Sequence, residues 1–237
     1  MNRYQLMAAQ PRRVTAFPQK SRMRPRATLC ALAVLSLAFA PVSAVAQQTT
    51  FRVLPSPSRA TFKTDAPLET VIGNTAGPAI SGTVTGDLDR PQTATGTIRV
   101  DLTTLKTGID KRDADLRSKD FLDTEKEANR FAVFDLKEVE IRGPLEASKE
   151  TPAKLWGTLT IKGKLVQIAA DARITYVKLT PQVLETQKRF GFTSDNIRVK
   201  ARFSTSFTNH GMQVPQLFFM KLSDEIQIET DLTLVRQ

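Results

Sequence analysis

The strongest constraint on this chain is a period of two sustained over long runs. Ile197, Val199, Ala201, Phe203, Thr205 and Phe207 fall on one side of an extended segment, and Arg198, Lys200, Arg202, Ser204, Ser206 and Thr208 fall on the other. A helix, with its period of 3.6, would scatter these residues around its circumference; a strand sorts them into a dry face and a wet face. Near the C-terminus Ile226, Ile228, Thr230, Leu232 and Leu234 oppose Gln227, Glu229, Asp231 and Thr233 in the same way. Strands of this length with one wet face belong to antiparallel sheet.

The theme recurs upstream. Ile80, Gly82, Val84, Gly86 and Leu88 share one face, and Ala94, Gly96, Ile98, Val100 and Leu102 share another, with Asp89-Arg90-Pro91-Gln92 between them as a hairpin turn. Ala60, Phe62 and Thr64 form a further short face. Leu155, Gly157, Leu159 and Ile161 lead through a Lys162-Gly163-Lys164 turn to Ile168, Ala170, Ala172, Ile174 and Tyr176. From Phe131 to Ile141 the parity changes near Lys137-Glu138, which predicts a bulge. About eight long amphipathic strands with little helix leave a sandwich or a closed barrel. Gly82, Gly86, Gly96 and Gly157 on the apolar faces suit a sheet that must coil sharply, and they either leave a hollow or relieve packing.

The net charge of +10 does not describe the folded part. Residues 1–46 hold Arg3, Arg12, Arg13, Lys20, Arg22, Arg24 and Arg26 and no acid; the remainder has 27 basic against 24 acidic residues, which argues against a nucleic-acid partner. Basic residues up to Arg26, an apolar run from Ala27 to Ala40 and the small-x-small pattern of Ala44-Val45-Ala46 have the order of a secretory signal peptide, with cleavage expected before Gln47. Fourteen apolar residues interrupted by Pro41 are too few for the ~20 that a membrane-spanning helix needs. The reading is therefore a signal segment, 1–46, and one domain, 47–237, exported to the periplasm with no stable membrane anchor after cleavage. The only cysteine, Cys30, would leave with the signal, so no disulfide framework is expected.

The densest run of ionisable groups is GIDKRDADLRSKDFLDTEK, residues 108–126. Residues 111–122 predict a short helix with Asp113 and Arg117 as an i, i+4 ion pair and Phe121 and Leu122 as apolar anchors. A calcium loop fails on spacing: counted from Asp113, Ser118 stands at the sixth position and Thr124 at the twelfth. Interleaved Lys and Arg would keep the carboxylates ionised and solvated, which suits a brace better than general acid/base work. His210 is the only histidine, so neither a zinc cluster nor a Cys/His pair can be assembled; it is read as a turn residue. There is no Gly-x-Ser-x-Gly elbow and no phosphate-binding glycine loop. No catalytic residue, metal or cofactor is expected.

Three sets of residues resemble one family. Asp101-Leu102-Thr103-Thr104-Leu105-Lys106-Thr107-Gly108, with Lys111-Arg112-Asp113-Ala114-Asp115-Leu116-Arg117-Ser118 and Asp120-Phe121-Leu122-Asp123, is similar to the signature of the YceI-like, or polyisoprenoid-binding, proteins. Gly157-Thr158-Leu159-Thr160-Ile161-Lys162-Gly163 is similar to a second hallmark, and Gly211-Met212, Pro215 and Leu222-Ser223-Asp224-Glu225-Ile226 to a third. Two departures bear on local loops: Glu127-Ala128-Asn129 stands where the family has an aromatic-proline pair, and Lys164-Leu165-Val166 replaces a threonine-containing turn.

The resemblance implies an all-β fold: an extended eight-stranded antiparallel lipocalin-like barrel with a short helical excursion near 111–122. It implies an exported bacterial protein that holds a long-chain isoprenoid or similar amphiphilic lipid without catalysis. The expected lining is Phe62, Ile80, Val84, Ile98, Val100, Phe134, Leu159, Ile161, Ile174, Phe203, Phe207 and Ile228. Arg198, Lys200 and Arg202 are candidates for an anionic head group. The alternative is a hydrolase or other enzyme acting on a hydrophobic substrate in the cavity through Asp113, Asp115 or His210. A third reading makes Leu54-Pro55-Ser56-Pro57 an exposed strap for a protein partner.

Overall fold

The computed structural model describes residues 48–217 and 219–237. The expected signal segment lies outside them. Among the described residues, twelve strands and two α-helices follow in the order β1 Thr49–Val53, β2 Arg59–Ala66, β3 Glu69–Ala76, β4 Ile80–Gly86, β5 Thr95–Asp101, α1 Asp110–Arg117, β6 Phe131–Ile141, β7 Glu150–Ile161, β8 Lys164–Lys178, α2 Pro181–Gln187, β9 Asp195–Ser206, β10 Gln216–Leu217, β11 Met220–Lys221 and β12 Glu225–Arg236. All pairings between strands are antiparallel. The order β1-β4-β5-β6-β7-β8-β9-β12 closes on itself because β12 also pairs with β1. Closure is the solution that leaves the barrel strands without a free edge.

The hairpin of β2 and β3 lies outside that ring of eight. β12 is long enough to serve two partners in turn, with Leu234 to Arg236 pairing with β1 and Gln227 to Asp231 pairing with β2. The switch is made by a corner at Leu54-Pro55-Ser56-Pro57, which is a tight turn and not an exposed strap. Leu54 is buried and its N–H donates to the Thr233 carbonyl (2.7 Å). The fully buried Ser58 hydroxyl donates to the Leu54 carbonyl (2.7 Å) and accepts from the Thr233 N–H (3.1 Å), standing in for the missing strand partner. The outer edge of β3 is covered by residue 106, whose backbone exchanges hydrogen bonds with Asn74 (2.8 and 3.0 Å).

The local signals read in the sequence act as expected in the barrel. β4 and β5 form the predicted hairpin, with Ile80 opposite Val100 and Gly82 opposite Ile98. The register of β6 against β7 slips between Leu136 and Glu138, the predicted bulge. Lys162 and Gly163 both adopt positive φ, 50° and 69°, so the β7–β8 connection is a two-residue turn whose twist matches that of the strands it joins.

The charged stretch does form a helix, α1, followed by turns, but its pairing differs from expectation. Asp113 is 1 % exposed and does not reach Arg117 across the helix surface. Its Oδ1 accepts from the Thr107 N–H (2.7 Å) and hydroxyl (2.6 Å), tying the helix to the preceding loop. Arg117 instead donates to the Leu105 carbonyl, and the i, i+4 pair on this helix is Lys111 with Asp115. Arg112 bonds Glu69 at the start of β3 (2.7 Å), so the excursion is fastened to the added hairpin as well. The hydrogen bonds from Thr107 hold the Asp113 carboxyl below its ordinary range despite burial. This is the brace anticipated, with a different set of partners.

Candidate functional site

The barrel encloses a cavity of about 250 Å³, just below the ~300–1,000 Å³ usual for small-molecule sites. Its wall is drawn from the inward face of every strand of the ring, from the added β2–β3 hairpin through Ala60, Thr61, Phe62 and Thr75, and from the loops at both ends. Pro91, Ala94 and Leu145 contribute from the end that carries the β4–β5 and β6–β7 connections. Leu116, Phe121, Leu122 and Met212 contribute from the opposite end, where Phe121 and Leu122 are the inward plugs expected of the charged stretch. Apart from Thr61, Thr75 and Thr230 the lining side chains are apolar, and no Asp, Glu, His, Lys or Arg is among them. Such a wall offers a guest burial at ~25 cal/mol per Å² and few directional bonds.

Of the twelve residues expected to line a lumen, all but Ile80 do so. Ile80 is fully buried, but it packs in a separate cluster with Phe51, Val53, Ala79, Leu232 and Leu234. It has the right parity, yet it lies where β4 meets the β1–β12 seam and its side chain is used up in closing the ring. The inward glycines act differently from a simple hollow. A β-carbon on Gly157 would stand 2.6 Å from the ring of Phe134, so that glycine seats an aromatic ring rather than leaving space. Phe134 in turn stacks on Phe203 with centroids 6.3 Å apart.

Arg198, Lys200 and Arg202 do not face the lumen. They are exposed on the outer surface of β9, as their alternation with the inward Ile197, Val199, Ala201 and Phe203 requires. Arg198 forms a two-pronged pair with Asp231 (2.8 and 2.5 Å) and Arg202 pairs with Glu229 (3.2 Å), both across to β12. The head-group assignment for this stripe is therefore withdrawn: acids on the neighbouring strand already neutralise two of its three cations, on the wrong side of the wall.

The candidates for catalysis also lie away from the cavity wall. Asp113 is engaged by Thr107, and Asp115 is exposed and paired with Lys111. His210 sits in a 3-10 turn, Thr208–His210, and is fully buried rather than exposed at a turn. Its Nε2 lies 2.8 Å from the Thr205 hydroxyl of β9. Burial lowers its proton affinity, with the backbone of Lys164 and Ile161 partly opposing that shift, so the ring is held neutral as a structural staple. Among the described residues no group of three or more His, Cys, Asp or Glu could hold a metal ion.

A second polar cluster, unnoticed in the sequence, closes the end of the barrel near the chain terminus. The buried Tyr176 hydroxyl donates to Asp195 Oδ1 (2.5 Å), and Ser194 and Arg236 bond Oδ2 of the same carboxylate (2.7 and 3.2 Å). Burial, then the bond to Asp195, push the Tyr176 phenol up to about 12. Burial works to raise the Asp195 pKa, but the three donors outweigh it and hold the carboxyl low. The cluster joins β8, β9 and β12, and its members do not line the cavity.

The architecture and site define a class: a closed eight-stranded antiparallel barrel with an apolar interior. The YceI-like domain matches residues 51–234, and the chain belongs to that family. Comparison with curated proteins gives no match. Among solved structures, the chain is similar to a polyisoprenoid-binding domain from Saccharophagus degradans implicated in plant cell wall breakdown (12 % identity, TM-score 0.59, 80 % of this chain and 99 % of that one). It is also similar to BcnA of Burkholderia cenocepacia (15 %, 0.55, 75 % and 96 %) and to the YceI protein of Campylobacter jejuni (18 %, 0.53, 72 % and 86 %). At these identities the likeness establishes the fold.

Proposed function

We propose that the protein is a non-catalytic lipid carrier that holds the hydrocarbon chain of a polyisoprenoid or similar amphiphile in its barrel. The observation that carries this reading is a cavity whose wall has no ionisable side chain, in a family with a polyisoprenoid-binding member among its solved folds. A wall of this kind can remove hydrocarbon from water, but it offers a substrate no acid or base, and nothing to activate the hydroxyls of Thr61, Thr75 and Thr230 as nucleophiles. A volume of about 250 Å³ suits a slender chain segment, so a long lipid would be enclosed in part. The lining residues already identified, Phe62, Val84, Ile98, Val100, Phe134, Leu159, Ile161, Ile174, Phe203, Phe207 and Ile228, are the proposed contacts.

We further propose export to the periplasm through residues 1–46, on the strength of their basic, apolar and small-residue order. Both parts are tested by expressing the full chain in a Gram-negative host and analysing the periplasmic protein by native mass spectrometry and N-terminal sequencing. The expected result is a chain beginning at Gln47 that carries a non-covalent lipid. A chain that begins at Met1, or one that stays lipid-free in extracts from every host fraction, contradicts the corresponding part.

A further inference from the structure

One hydroxyl inside the barrel has nothing to bond. Thr75, on the inward face of β3, is 3 % exposed and lines the cavity. Its Oγ1 has no hydrogen-bond partner. Buried polar atoms are nearly always paired in native proteins, and an orphan lowers stability, so each one calls for an explanation. A valine would have the same shape at this site without that cost.

The position of Thr75 in the wall supplies the explanation. Cross-strand pairing places Ala172, Ala201, Thr230, Ala60 and Thr75 side by side across β8, β9, β12, β2 and β3. The neighbouring row on one side holds Ile174, Val199 and Leu232, and the row on the other holds Phe203, Ile228 and Phe62. On β9 and β12 the small side chains lie between larger ones, which sets the wall back at one level; on β3 that level holds the unpaired hydroxyl, whose inward neighbour along the strand is Gly73, with the ring of Phe62 lying over it. Thr230 contributes a second hydroxyl to the same belt. Because no cation lines the cavity, a phosphate placed here would be desolvated without compensation, whereas a neutral oxygen would not.

We propose that Thr75 is a specificity-determining residue whose hydroxyl hydrogen-bonds an uncharged oxygen, a hydroxyl or carbonyl, at the polar end of the bound lipid. The small-residue belt accommodates that end, and the hydrocarbon chain occupies the apolar remainder of the cavity. The inference rests on the reading of the barrel as a lipid site, and it adds a choice of ligand: neutral oxygenated isoprenoids over phosphorylated ones.

The test measures binding of geranylgeraniol, geranylgeranyl monophosphate and the corresponding hydrocarbon to the wild-type protein, Thr75→Val and Thr75→Ser. The wild type is expected to bind the alcohol in preference to the phosphate. Thr75→Val should lose about five- to tenfold in affinity for the alcohol, the worth of one hydrogen bond. The same variant should bind the hydrocarbon unchanged, and Thr75→Ser should keep the alcohol. Without lipid, Thr75→Val should unfold at a higher temperature than the wild type, because it lacks the unpaired hydroxyl. Equal affinity of wild type and Thr75→Val for the alcohol overturns the role of Thr75 alone. Preference of the wild type for the phosphate overturns the choice of a neutral head. Failure of the wild type to bind any of the three overturns the carrier reading and this inference with it.

Discussion

The ring of Phe134 fills the space that a side chain on Gly157 would occupy, with its Cζ 2.6 Å from the position of a β-carbon there. The glycine is thus a seat for an aromatic ring that projects into the lumen and stacks on Phe203. Gly157→Ala must displace both the ring and the Asp135 carbonyl of β6, which would stand closer still to the same β-carbon, and overpacking of this kind costs ~1–3 kcal/mol. Urea unfolding should show a loss in that range, with the near-ultraviolet circular dichroism of the aromatic side chains altered.

Ser58 is a hydrogen-bonding corner where β12 changes partner. Its replacement by alanine leaves the Leu54 carbonyl and the Thr233 N–H without the hydroxyl that bridges them. The loss of stability should be ~1–3 kcal/mol. Hydrogen exchange should locate the damage at Thr233 and its neighbours, while amides of the β7–β8 hairpin keep their protection.

Asp113 and Asp115 separate brace from surface. Asp113→Asn removes the charge that accepts two hydrogen bonds from Thr107 and faces Lys106. It should cost ~2 kcal/mol. Asp115→Asn breaks only an exposed pair with Lys111 and should stay within ~0.5 kcal/mol of wild type. Chemical denaturation of the two variants at neutral pH makes the comparison.

The buried His210 imparts a pH dependence of definite sign. Its pKa is lowered from 6.5 because burial disfavours the imidazolium, so the unfolded chain binds a proton more readily than the folded one. Stability is therefore full above pH ~6.5 and falls as the pH drops toward the folded-state value. Between pH 7.5 and 5.5 the wild type should weaken, and His210→Gln should show a flatter profile over the same interval. Urea midpoints across this range provide the measurement.

Much of the barrel was legible because its strands are half wet: parity alone sorted Ile197 to Phe207 and Ile226 to Leu234 correctly, and it marked the bulge after Leu136. β1 and β3 were missed for a physical reason. In β3 the inward face reads Val71, Gly73, Thr75 while Ile72 is 52 % exposed on the outside, so hydropathy points the wrong way. That inversion also concealed Thr75, whose importance depends on being unpaired inside a closed wall. Parity could not tell Ile80, consumed in the β1–β12 seam, from residues that border empty space. Nor could helical spacing foresee that Asp113 would turn inward to Thr107 and leave Arg117 to a backbone carbonyl. Local pattern fixes faces; the identity of a partner depends on how the ring closes.

The most direct test of the account is a calorimetric titration of the lipid-free protein with geranylgeraniol, repeated with Ala201→Trp, which places an indole in the middle of the lumen wall. The account predicts saturable 1:1 binding with a negative heat-capacity change, the mark of buried apolar surface, and its loss in an Ala201→Trp protein that retains its fold. Absence of binding to the wild type, or undiminished binding to the blocked barrel, would contradict it.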